Sequence, residues 1–220
     1  MTATATSSGR GARRRGARRL AAACALSIGA ALLAIVAVRH SSGAHAGGAA
    51  RAVEASAASP PRDLAWLHPV RPPRGWRVAR LPSSSAALAY PSGWHTIATD
   101  SGTVSVALTD RSDTIVSYLN ATPRQGVETL ANWSSFRPHH VAAEGARDVR
   151  VLARAEHLPF RSGQGSCVID SYSTSKTHYI EIACFVQGAR AATVIVGAAQ
   201  PGAWSSQGPL LERAIASFTT

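Results

Sequence analysis

The sequence contains one apolar segment long enough to cross a membrane as a helix. Leu20 to Val38 is a run of 19 residues without a charged side chain. A helix of this length rises about 28 Å, close to the hydrocarbon core of a bilayer at about 30 Å. The apolar region of a cleaved signal peptide is shorter, roughly 7 to 15 residues. The segment therefore predicts a retained transmembrane helix over residues 20–38.

Arginine residues flank this segment unevenly. Six arginines precede it, and five of them lie closest to it: Arg13, Arg14, Arg15, Arg18 and Arg19. Because positive residues stay on the cytoplasmic side, they predict a cytoplasmic amino terminus and an extracytoplasmic main domain in the cell membrane. Ala44-His45-Ala46 offers an alternative, a signal peptidase site that would release a secreted protein. The main domain lies outside the cytoplasm in both cases.

The net charge of +11 is concentrated at the amino-terminal end of the chain. Residues 62–80 hold five arginines and one aspartate, whereas residues 81–220 hold ten basic and ten acidic residues. A nucleic-acid-binding domain needs a basic face for the phosphates. Since the predicted domain has no surplus positive charge, we expect no nucleic-acid partner.

The composition divides the rest of the chain into three regions after the basic tail (1–19) and the apolar segment. Residues 39–62 are rich in Ser, Gly and Ala and predict a flexible linker. Residues 63–80 form a Pro/Arg-rich extended arm, in which we expect Trp66 and Trp76 to pack on the domain edge. The alternative is that this arm lies on the outer membrane surface. Residues 81–220 form the extracytoplasmic domain.

Alternating apolar and polar residues predict eight strands in this domain. The candidates are residues 86–90, 94–99, 103–109, 114–119, 149–155, 166–173, 178–186 and 192–198. A helix is predicted from Thr122-Pro123 to about Arg137-Pro138, and another with Pro209 in its first turn. Short connections indicate antiparallel pairing. The prediction is an α+β domain with an antiparallel sheet covered by two helices, preceded by one transmembrane helix.

Two cysteines on neighbouring strand candidates suggest a specific register. If Ser175-Lys176 is the centre of the hairpin, Cys167 faces Cys184. In an oxidising exterior this pair predicts a disulfide. The alternative is two buried free thiols.

The same register has consequences for the neighbouring residues. It places the Ile169–Ile182 pair on the face of the cysteines and the Tyr172–Tyr179 pair on the other face. It also places Asp170 opposite Glu181, although like charges in this position are unfavourable.

No catalytic, cofactor-binding or metal-binding motif is present. His139-His140 is the one histidine cluster, and adjacent histidines without further ligands favour a solvated loop. We therefore predict no catalytic residue, no cofactor and no metal ligand.

Three segments together resemble the PsbP-like family. They are Ala89-Tyr90-Pro91-Ser92-Gly93-Trp94, the Thr122-Pro123 helix with Leu130 and Trp133, and the closing Ala216-Ser217-Phe218. The resemblance extends over residues 76–220 and is strongest to uncharacterised actinobacterial membrane-anchored members. It implies an α/β/α sandwich and a non-catalytic accessory or binding role.

These observations support one main hypothesis and two alternatives. The main hypothesis is a membrane-tethered, extracytoplasmic, non-catalytic binding or accessory domain, with an unknown envelope protein or small ligand as partner. One alternative is an exported enzyme with an unassigned carboxylate or histidine site. The other is a structural or envelope-sensing protein whose arm contacts anionic lipid.

Overall fold

The computed structural model describes residues 63–83 and 85–220. The predicted transmembrane helix (20–38), the arginine tail and the linker lie outside these residues. Within the described part, no helix combines the length and apolar character that crossing a membrane requires.

The described residues form nine strands and two α-helices. The strands are β1 (Arg77–Arg80), β2 (Ala87–Tyr90), β3 (His95–Ile97), β4 (Val104–Thr109), β5 (Ile115–Pro123), β6 (Arg147–Phe160), β7 (Gly163–Ser173), β8 (His178–Gly188) and β9 (Ala192–Ala199). The helices are α1 (Trp133–Ala143) and α2 (Trp204–Ala216). Strands β1 and β2 form a hairpin, and the others form one antiparallel sheet in the order β3-β4-β5-β9-β8-β7-β6. The predicted α+β class, an antiparallel sheet with two helices, is confirmed.

The two helices cover opposite faces of the sheet. Along β8, Ala183 and Phe185 pack in one apolar cluster with Trp133 of α1. The alternate residues Ile182, Cys184 and Val186 pack in another cluster that contains the buried side chains of α2, including Leu211 and Ile215. Because side chains alternate across a strand, these two clusters lie on the two sides of the sheet.

The predicted register of the β7–β8 hairpin is confirmed. Cys167 is paired with Cys184 and Ile169 with Ile182, and the two cysteines form the predicted disulfide. Tyr172 is paired with Tyr179 on the α1 side. Asp170 is indeed paired with Glu181. The disulfide lies within the apolar cluster beneath α2, completely buried.

The predicted boundaries of the first helix are wrong at both ends. Thr122-Pro123 is the end of β5, because its backbone pairs with Val194 and Thr193 of β9. The helix begins at Trp133, after Thr129 and Asn132 exchange side-chain-to-backbone hydrogen bonds of 2.7 and 3.2 Å. Pro138 lies inside α1, which continues to Ala143. A proline removes one backbone hydrogen bond from a helix. Here α1 continues on both sides of Pro138, because its packing on the sheet outweighs that loss.

The second helix also begins earlier than predicted. A 3₁₀ turn at Pro201–Ala203 leads directly into Trp204, which places Pro209 inside α2. The residues expected to be buried by this helix, Leu211, Ile215 and Phe218, are all completely buried. The structure also adds a strand that was not predicted, because the end of the arm pairs with β2 as β1.

Removing the disulfide is expected to destabilise the domain without unfolding it. Replacing Cys167 and Cys184 by alanine opens a link across 17 residues, which costs about 3 kcal/mol in the chain-entropy model. Urea unfolding of residues 63–220 measures the difference. Reductant should weaken the unsubstituted domain by a similar amount and leave the double variant unchanged. Complete alkylation of both thiols in unfolded, unreduced protein would show that the bond is absent.

Candidate functional site: a buried charge cluster and a tryptophan groove

Charged residues are buried between the sheet and α1. Asp170 and Glu181 face each other across β7 and β8, and both are 0% exposed. Two carboxylates in these positions repel each other, and each would be costly to bury without a partner. The stability of this face therefore depends on what neutralises them.

Arg137 of α1 neutralises Glu181. Its Nε donates to Glu181 Oε1 at 2.7 Å and its Nη2 donates to Glu181 Oε2 at 2.9 Å. The Tyr172 hydroxyl donates to the same Oε2 at 3.0 Å and lies 3.1 Å from the Tyr118 hydroxyl. A two-pronged, hydrogen-bonded pair of this kind is the favourable geometry for buried charges. Both oxygens of Glu181 are satisfied.

The second carboxyl, Asp170, is neutralised by a proton. Burial, and then the charge of Glu181, raise its pKa from 3.8 to about 8, although the nearby Arg137 opposes the shift. Neither Asp170 oxygen has a hydrogen-bond partner among the described residues. Near neutral pH the cluster therefore holds one positive and one negative charge.

Other groups in the cluster are also held in their neutral or paired form. Burial and the Glu181 carboxylate raise the pKa of Tyr118 and of Tyr172. Burial by itself lowers the pKa of Arg137, but its pairing with Glu181 outweighs this and raises it. Because Arg137 stays charged and is only 9% exposed, its ion pair with Glu181 attaches α1 to the sheet.

A second contact attaches the first turn of α1 to the sheet. The indole Nε1 of Trp133 donates to the backbone oxygen of Ala183 at 3.0 Å. Its ring packs against Phe136 and Phe185, with centroids about 6 Å apart. Both contacts join α1 to β8, which carries Glu181 and Ala183.

Replacing Asp170 by asparagine is expected to remove a pH dependence of stability. The folded state keeps the Asp170 proton up to about pH 8, whereas the unfolded chain releases it near its ordinary pKa of 3.8. The folded state thus binds more protons in this range. Stability therefore falls as pH rises from about 4 to 8, by up to about 1.4 kcal/mol per pH unit.

Urea unfolding of residues 63–220 at pH 5 and pH 8 tests this. Asp170→Asn should gain stability relative to the unsubstituted domain as the pH rises. Asp148→Asn, at an exposed position of β6, is the matched control and should follow the unsubstituted domain. An equal slope in all three proteins would contradict a protonated Asp170.

A groove lies on the other side of the molecule, where the arm runs beside α2. Its volume is about 520 Å³. The arm contributes Trp66, Val70, Pro73 and Trp76, and α2 contributes Pro209, Leu210, Glu212, Arg213 and Ala216. The groove is open to solvent, and its lining is mostly apolar, with Glu212 and Arg213 as its charged residues.

The arm is held in place by buried and hydrogen-bonded residues. Leu64 and Leu67 are buried in the apolar core, and the backbone N–H of Val70 donates to the oxygen of Ala216 at 3.0 Å. As predicted, Trp66 and Trp76 are partly buried against the domain. The wall of the groove is therefore an ordered part of the domain.

The histidine cluster does not join this groove. His139 and His140 lie on α1, across the sheet, where the ring of His140 stacks on Phe136 and its Nε2 lies 3.2 Å from Glu144 Oε1. They are in a helix, so the predicted solvated loop is wrong. Among the described residues no three His, Cys, Asp or Glu side chains are grouped to hold a metal ion.

The sequence reasoning missed Arg137 and Glu212. A signal existed for Arg137, because the predicted Asp170–Glu181 pair required a cation from a covering element. No comparable signal existed for Glu212, since the groove joins segments that are far apart in sequence.

Comparisons with known proteins place the chain only by distant structural likeness. No family model matches the sequence, and no curated protein matches it. Solved structures similar to this one include the cyanobacterial PsbP protein CyanoP from Synechocystis sp. PCC 6803, at 12% identity. The match covers 66% of this chain and 92% of CyanoP, with a TM-score of 0.49.

Two further structures are similar at the same level. LpqN of Mycobacterium tuberculosis, described as involved in cell envelope biogenesis, is 14% identical, with coverage of 66% of this chain and 89% of LpqN and a TM-score of 0.41. A Bacteroides thetaiotaomicron protein is 12% identical, with 66% of this chain covered and a TM-score of 0.41; the match spans 48% of that protein's length. A PsbP protein is thus among the neighbours, and no functional residue is transferred from any of them.

Proposed function

We propose that the protein is a single-pass membrane protein whose extracytoplasmic domain is a non-catalytic binding or accessory module of the PsbP-like kind. The observation that carries this proposal is the tryptophan groove between the arm and α2. The arm residues that line the groove follow directly after the predicted linker (39–62), which leads from the predicted membrane helix. Attachment to the membrane would therefore hold the groove near the outer membrane surface. The buried disulfide supports an oxidising location.

The chemistry of the site favours binding over catalysis. The groove is lined mainly by apolar side chains, with one carboxylate and one guanidinium. The pKa values shifted most strongly belong to residues buried beneath α1, which do not line the groove. The alternative of an exported enzyme has no comparable observation in its favour.

Membrane attachment predicts a simple fractionation result. The intact protein should sediment with membranes and dissolve only in detergent, because residues 20–38 are expected to span the bilayer. Immunoblotting of fractions with an antibody to the domain measures this. Protein found in the culture supernatant with a new amino terminus near Gly47 would exclude the anchor.

Binding in the groove predicts site-specific crosslinks in living cells. A photo-crosslinking amino acid at Leu210, on the groove wall, should form discrete adducts that Trp76→Ala reduces. The same amino acid at Val127, which is 74% exposed and outside the groove, is the matched control. Identical adducts at both positions, or none at Leu210, would oppose the proposal. Mass spectrometry of the adducts identifies the partner.

A second candidate function is contact of the arm with anionic lipid. Arg71, Arg74 and Arg77 are exposed on the arm, close in sequence to Trp76. Arginines near an anionic bilayer surface each contribute about 1 kcal/mol of binding free energy. The arm thus offers a positive edge beside the groove.

Charge removal separates lipid contact from general electrostatics. Replacing Arg71, Arg74 and Arg77 by glutamine should weaken flotation of residues 63–220 with anionic vesicles by about 100-fold. The matched triple change is Arg147, Arg150 and Arg154 on β6, which are also exposed, and it should have little effect. Equal losses for both triple variants would remove the arm as a specific lipid contact.

A further inference from the structure

The tryptophan groove contains one carboxylate, that of Glu212. Glu212 is half-buried, and among the described residues no cationic group lies within ion-pair distance of it. Burial, and then the charge of Asp63, raise the pKa of Glu212. A half-buried carboxylate beside a second carboxylate is a position that a bound cation would stabilise.

The walls beside this carboxylate are aromatic. Trp66 and Trp76 both line the groove. Indole rings attract organic cations through their negative faces, and tryptophan is the most effective of the aromatic residues. Aromatic walls and a carboxylate together favour a cation with apolar substituents over a small hydrated ion, which would lose its water shell against the rings.

Arg213 lines the groove, and Arg71, Arg74 and Arg77 lie on the arm beside it. All four side chains are exposed, so water and salt screen their charges.

We propose that the groove binds a small organic ammonium compound. The ammonium group lies against the indole rings and Glu212. A volume of about 520 Å³ suits a small molecule. This inference rests on the proposed function, because it names the ligand class of the same groove.

Choline and its neutral isostere 3,3-dimethylbutan-1-ol provide the test. The two probes share shape and hydroxyl group and differ in charge. They are titrated into the full-length protein in a neutral detergent, with ¹⁵N-labelled indoles observed by NMR. The Trp66 and Trp76 resonances should shift with choline, while that of Trp133, whose side chain packs between α1 and the sheet, should not. Choline should bind about 10-fold more tightly than the isostere, the ratio that about 1.4 kcal/mol gives.

Two variants assign the effect to Glu212. Glu212→Gln should lower the affinity for choline about 10-fold and leave that for the isostere unchanged, which a merely structural change would not do. Glu144→Gln, on the far side of the sheet, should change neither. Thermal unfolding checks that both variants are folded.

The outcomes distinguish this inference from the proposed function. Equal affinity for choline and the isostere would overturn the ammonium specificity, while the groove would still be a binding site. No shift at Trp66 or Trp76 with choline would also overturn it. The proposed function is tested separately by the crosslinks at Leu210, whatever the ligand is.

Discussion

The structure depends on the neutralisation of two opposed carboxyls on the neighbouring strands β7 and β8. The β7–β8 register places Asp170 directly against Glu181, and both residues are completely buried. The pair is tolerated because Arg137 binds Glu181 with two hydrogen bonds and because Asp170 keeps its proton. Since Arg137 comes from α1, the helix and the register require each other.

This arrangement gives the two faces of the sheet different properties. The α1 face is closed by the ion pair, by the tyrosine hydroxyls and by the indole of Trp133. The α2 face has an apolar core containing the disulfide, and its outer surface meets the arm in a groove. Strongly shifted pKa values often indicate a catalytic site. Here those of Asp170 and Tyr172 belong to the closed face, whereas the proposed binding groove lies on the open face.

Sequence reasoning was most successful where local periodicity determines structure. The pairing of Cys167 with Cys184 and of Asp170 with Glu181 followed from one choice of hairpin centre. It failed at helix ends, because Pro123, Pro138 and Pro209 favour helix boundaries but tertiary contacts override that local preference. The groove was not predictable, since it arises only when the arm lies along α2, more than 120 residues later in the chain.

The central claim is that ligand recognition belongs to the groove and that the buried charges serve only the fold. A variant with Arg137→Met and Glu181→Leu tests it, because replacing a buried ion pair by apolar residues is often neutral or stabilising. The account predicts that this folded variant gives the same crosslinks from Leu210 in cells as the unsubstituted protein. A variant with native circular dichroism that lost those crosslinks would contradict it, and would place the functional site beneath α1.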